Sequence, residues 1–140
     1  MRKIIALFLI LFILCPAAEL YAKGPTALNL EQLLGKITKP GSTSLQKSDA
    51  MDSYKGKIIR GSGVVRDVLR SYGSDNEAMV YLDKAFRGRK YEIVLAVNRD
   101  DAEKIIKKKT VSFNGEFSGM SFGTLRFKNA KVKRLWWWPF

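Results

Sequence analysis

The chain has 140 residues, room for one domain, and carries 25 Lys and Arg against 13 Asp and Glu, a formal net charge of +12. It contains no histidine and a single cysteine, Cys15, which lies in an N-terminal export segment. That composition excludes the usual zinc sites, the serine and cysteine triads and histidine general bases.

Residues 1–22 read as a secretory signal peptide. Arg2 and Lys3 begin it, an unbroken apolar stretch spans 4–14, and Pro16 leads to a cleavage site at Leu20-Tyr21-Ala22. The apolar stretch falls short of the roughly 20 residues that a bilayer span needs. Bulky Phe12, Ile13 and Leu14 before Cys15 argue against lipid attachment there. Cleavage near Ala22 removes Arg2, Lys3 and Glu19, leaving 23 basic and 12 acidic residues and no thiol. The expected address is the periplasm of a Gram-negative cell, or outside it. So basic a chain meets polyanions readily, whether nucleic acid, anionic lipid, lipopolysaccharide phosphate or acidic protein.

Residues 23–53 read as a lead-in. Leu28, Leu30, Leu33 and Leu34 line one face of a short helix begun near Asn29 and stopped by Gly35. Pro40-Gly41 marks a turn. A second helix is predicted over 44–54, with Leu45, Met51 and Tyr54 as its packing residues.

Strand chemistry starts at Lys57. Ile58, Ile59, Val64, Val65, Val68 and Leu69 form a long segment whose Gly61-Ser62-Gly63 centre signals a bend or a close backbone approach. A polar turn over 71–76 precedes a second strand, Met79-Val80-Tyr81-Leu82, and Phe86-Arg87-Gly88-Arg89 reads as a hairpin connection. Tyr91, Ile93, Leu95 and Val97 alternate as the inward positions of a third strand. A helix follows over 100–109, with Asp100 and Glu103 at capping-box spacing, Ala102, Ile105 and Ile106 as its buried stripe, and Lys107, Lys108 and Lys109 in its last turn. Val111, Phe113, Gly115 and Phe117 mark a fourth strand, and 119–123 a turn. A fifth strand carries Leu125 and Phe127 inward, then shifts phase near Asn129 to Ala130 and Val132.

Three strands, a helix and two strands is the order of a five-stranded OB-fold barrel, mainly β, here over 54–135 behind the helical lead-in. Within it, Tyr54-Lys55-Gly56-Lys57 leading to Gly61-Ser62-Gly63-Val64-Val65, the Asp-rich start of the helix, Lys109-Thr110-Val111-Ser112-Phe113-Asn114-Gly115 and the closing Leu125-Arg126-Phe127-Lys128-Asn129-Ala130-Lys131-Val132 resemble the tRNA-anticodon-binding-like OB family of small exported bacterial proteins. The resemblance implies a fold and names no ligand. The basic charge and the aromatic tail at 136–140 depart from it.

The acids Asp67, Asp75, Asp83, Glu92, Asp100, Asp101, Glu103 and Glu116 are scattered and form no recognisable metal loop, so no cofactor, metal or catalytic residue is expected, and a carboxylate- and metal-dependent nuclease is the weakest reading. Binding has better material. OB barrels hold polymers across the middle strands and with the loops joining strands one to two and four to five. Arg70, Tyr72 and Phe122 belong to those loops, Phe86, Arg87 and Arg89 to the second connection, and Tyr81 to the face. Arg126, Lys128, Lys131, Lys133 and Arg134 form a basic stripe that reads equally as a polyanion track or as a charged edge against aggregation. Trp136, Trp137 and Trp138 cannot all face one core, because neighbouring side chains of an extended segment point opposite ways. The leading expectation is a non-catalytic binding module for a protein or envelope component, or another polyanion, with peripheral membrane contact through the tail. The alternative is single-stranded nucleic acid, in DNA transfer or uptake.

Overall fold

The computed structural model describes residues 27–134. The signal segment, its cleavage site and the tail with Trp136, Trp137 and Trp138 lie outside the described residues. Strand β1 (Leu28–Asn29) leads into helices α1 (Leu30–Ile37) and α2 (Ser44–Tyr54). Then come β2 (Ile58–Arg70), β3 (Glu77–Phe86), β4 (Arg89–Asn98), the short α3 (Arg99–Ala102), β5 (Thr110–Ser121) and β6 (Thr124–Arg134). The sheet runs β1-β2-β3-β4-β6-β5 and closes through β2 and β5, giving a five-stranded OB-fold barrel with β1 outside it. No helix among the described residues is long and apolar enough to cross a membrane.

The predicted glycine bend is what allows closure. The first half of β2, Ile58 to Val64, pairs with β5, and the second half, Val64 to Arg70, pairs with β3. A Cβ at Gly61 would stand 2.8 Å from a methyl of Leu30 and 2.9 Å from the Phe113 ring. Glycine there lets α1 pack directly on the strand, whereas any side chain would overfill the core. Leu30, Leu33 and Leu34 of α1 are fully buried beside Ile59, Leu82, Leu95, Phe113, Phe117 and Phe127. The lead-in is therefore part of the barrel's core. The Phe127 ring meets Phe113 edge-on at 5.1 Å and Phe117 at 5.4 Å.

Four expectations are corrected. Helix α1 does not stop at Gly35 but runs on to Ile37, whose burial offsets the roughly 1 kcal/mol helix cost of glycine. Thr38 closes it, its amide and hydroxyl both donating to the Leu34 carbonyl. Helix α2 has the expected bounds and carries a reciprocal Thr43–Gln46 cap; Tyr54 is buried and Met51 packs on the core, but Leu45 is 71% exposed. The helix expected over 100–109 is only the four residues of α3. Its cap is Asn98, whose side-chain oxygen accepts from the Asp100 amide at 2.9 Å. Its would-be second half is drawn onto β2, where Lys108 N–H donates to Val65 O at 2.8 Å and Val65 N–H to Lys109 O at 2.9 Å. Ile106 is consequently exposed, while Ala102 is buried and Ile105 half-buried. Finally, the 119–123 turn is tighter than expected, since β5 continues to Ser121 and only Phe122 and Gly123 turn the chain, both at positive φ. The phase shift near Asn129 is present, with Asn129 at φ 50° and a break in pairing around it.

Candidate functional site

The outer face of the middle strands is where an OB barrel commonly carries its ligand. Register puts the turn over 71–76 at one end of β4 and the Phe122-Gly123 turn near the other, because Glu77 pairs with Asn98 while Thr124 pairs with Glu92. Tyr72 and Phe122 are both fully exposed, one at each end of that face. Arg70 is exposed beside the first turn.

Between these rings the face is crowded with matched charge. Arg66 sits at the bulge that separates Val65 from Asp67 in the pairing with β3. Its guanidinium lies 5.7 Å from the Tyr81 ring, bonds to Glu92, and stands 3.6 Å from Asp83. Lys90 reaches Asp83 at 3.1 Å, and the Thr124 hydroxyl donates to Glu92 at 3.2 Å. The hydrogen bond that Arg66 donates to Glu92 holds the guanidinium still further in its charged form. Nearby, Lys107 lies 2.9 Å from Asp67, and that bond, followed by the Val68 amide, lowers the carboxyl below its ordinary value. Tyr81, expected on the face, is half-buried under Arg66. Arg66, Asp83 and Glu92 were not singled out from sequence as a unit, since only strand pairing brings together residues separated by as many as 26 positions.

A different surface forms at the barrel end. The Arg87-Gly88 turn, with φ of 48° and 74°, swings the β3–β4 hairpin toward the loop between α1 and α2. The groove between them encloses about 580 Å³. Met51, Phe86, Tyr91 and Met120 supply apolar and aromatic walls, and Lys39, Lys47, Arg87 and Arg89 the charge, with no carboxylate lining it among the described residues. The Arg87 guanidinium lies 5.1 Å from the Phe86 ring. Phe122 follows two residues after Met120, so its exposed ring projects from the same end of the barrel. Sequence reasoning found Phe86, Arg87, Arg89 and Phe122 but missed Lys39, Lys47 and Tyr91. The loop residues carried only a turn signal, and Tyr91 read as a core position.

The stripe on β6 divides. Arg126 faces outward in register with Val94, and Lys128 pairs with Glu116 at 3.3 Å. Lys131 and Lys133 are exposed opposite Asn114 and Ser112. The backbone of Arg134 pairs with Val111. Among the described residues, no three His, Cys, Asp or Glu are placed to hold a metal ion.

No protein-family model matches the chain, and no curated protein matches it in sequence. Its fold is similar to that of a lipoprotein from Klebsiella pneumoniae subsp. pneumoniae MGH 78578 that is provisionally named as nucleic acid-binding. The TM-score is 0.55 at 16% identity, covering 84% of this chain and 98% of that one. A replication protein A heterotrimer bound to ssDNA aligns with TM-score 0.42 at 15% identity, over 77% of this chain and 78% of that one.

Proposed function

We propose that the protein is an exported, non-catalytic OB-fold module that binds single-stranded nucleic acid, with the barrel-end groove as its main contact. One observation carries this reading: among the described residues, four cations and two aromatic rings line one open groove with no acid beside them. A single strand needs that pairing of chemistries, since bases stack on rings while cations meet phosphate. The likeness of fold to a lipoprotein named for nucleic-acid binding supports it, as does the excess of basic residues. It favours the second of the two readings drawn from sequence over a protein or envelope partner. We assign the protein to the exported tRNA-anticodon-binding-like OB proteins on the motifs quoted above, with the periplasm as its address.

The test is fluorescence anisotropy with a labelled single strand of about 10 nucleotides, within the span one OB fold covers. Binding at low salt that weakens steeply as salt rises is expected. Absence of binding at low salt would overturn the reading, and shortening of the strand with added divalent ions would overturn its non-catalytic part.

A further inference from the structure

On the outer face of β2, β5 and β6 lies a trough of different chemistry. One part, about 300 Å³, is lined by Arg60, Lys131 and Lys133 with Ser112 and Asn114. The other, about 400 Å³, is lined by Ser62, Lys84 and the start of α1. Arg60 and Ser112 border both parts, so they are continuous. Register accounts for the gathering: Arg60 lies opposite Asn114, which lies opposite Lys131, and Ser62 lies opposite Ser112, which lies opposite Lys133. Alternation then presents these six side chains outward while Ile59 and Phe113 turn into the core.

The two parts differ in charge. Lys84, only 17% exposed, stands 3.5 Å from both Glu31 and Ser62, so its charge is matched where it lies. Arg60, Lys131 and Lys133 have no carboxylate partner among the described residues. Arg60 Nε donates to Asn114 Oδ1 at 3.4 Å, which leaves its terminal nitrogens for another acceptor. One end therefore suits a doubly charged oxyanion. The other offers hydroxyls and an ion pair, donors and acceptors together, as a set of sugar hydroxyls requires. Among the described residues, no exposed ring borders the trough on which a base could stack, and the aromatic that lines it, Phe113, is buried.

We propose that this trough binds a phosphorylated sugar, the phosphate held by Arg60, Lys131 and Lys133 and the hydroxyls lying along Ser112, Ser62 and the Lys84–Glu31 pair. The site is separate from the barrel-end groove and stands independently of it.

The experiment is a calorimetric titration of the purified protein with glucose 6-phosphate, glucose and inorganic phosphate, and in a second arm with vesicles bearing a phosphorylated glycolipid. Saturable binding is expected. The sugar phosphate should bind at least tenfold tighter than glucose or phosphate alone, or the glycolipid vesicles at least tenfold tighter than vesicles carrying an unphosphorylated glycolipid. Binding in solution identifies a free sugar phosphate as the source, and binding confined to vesicles identifies a lipid headgroup. In either arm Lys131→Glu with Lys133→Glu should weaken binding at least tenfold, while Arg87→Glu with Arg89→Glu leaves it unchanged. Both pairs are exposed, so the fold should survive. The proposal is overturned by no saturable binding in either arm, by inorganic phosphate binding as well as the sugar phosphate, which would mark an adventitious ion only, or by indifference to the Lys131 and Lys133 changes. Displacement by a single-stranded oligonucleotide would also overturn it, by giving the trough to the nucleic-acid path.

Discussion

The barrel-end groove and the outer face of β2, β3 and β4 each carry arginines beside aromatic rings, yet they differ in what those arginines face. On the face, Arg66 covers Tyr81 and is committed to Glu92 and Asp83, with Lys90 and Thr124 completing the network. In the groove, Arg87 lies over Phe86 with Arg89, Lys39 and Lys47 around it, and no acid among the described residues lines the space. Counting charges on the sequence treats these regions as alike. Free energy separates them, because a cation already paired must give up its partner before it can meet a phosphate, and an unpaired one need not.

The largest test undermines the groove's wall. Leu33 is fully buried in α1, so Leu33→Ala should cost about 2–5 kcal/mol in a urea melt. Because α1 leads into the 38–41 loop, oligonucleotide affinity should fall in the protein that remains folded, while the Arg66 network on the outer face persists. Unchanged stability would show that the lead-in is not part of the core.

Next comes charge. Replacing Arg87 and Arg89 together by Glu should weaken oligonucleotide binding by about 10- to 100-fold and reduce the salt dependence by the equivalent of about two phosphate contacts. A salt slope equal to that of the unaltered protein would move the contact elsewhere.

The two exposed rings then separate the regions directly. Phe122 projects from the groove's end of the barrel and Tyr72 from the other. Phe122→Ala should lose about 1–3 kcal/mol of binding if a base stacks there, and Tyr72→Ala about 0.5 kcal/mol or less. The reverse ranking would return the ligand to the face of the middle strands.

The smallest effect concerns pH. Asp67 has an ordinary value of 3.8 that its Lys107 and Val68 bonds lower in the folded protein. Its contribution to stability is therefore full above that ordinary value and is lost as pH falls through the lower folded value. Asp67→Asn should lower stability slightly at neutral pH and leave it unchanged below the folded value, flattening part of the acid limb of a pH–stability curve measured by thermal melting. An unchanged acid limb would show that the Lys107 bond does not persist in solution.

Much of the barrel was legible because its strands alternate. Ile93, Leu95 and Val97 are buried as their spacing required, Gly61 marks a close approach, and the shift at Asn129 was visible in the broken phase of Phe127 and Ala130. The helix after β4 was misread for a physical reason. Asp100 and Glu103 had the right spacing for a cap, but Asn98 takes that role and Glu103 pairs instead with Arg99 at 3.4 Å. The backbone at Lys108 and Lys109 then exchanges hydrogen bonds with Val65 that a continued helix would forgo. At the surface, sequence identified the right residue types but could not see which were spent. Lys128 and Lys131 read alike along β6, yet one meets Glu116 and the other lies opposite Asn114. Such differences come from neighbours on other strands, which local patterns do not encode.

The most direct test of the groove as the ligand's contact is a map of amide chemical-shift changes on adding a short single-stranded oligonucleotide. The largest changes are expected at residues 38–41, 86–91 and 120–123, with little change at 66–67, 79–83 and 92–96. Changes concentrated on that second set, the face around Arg66 and Tyr81, would contradict the account.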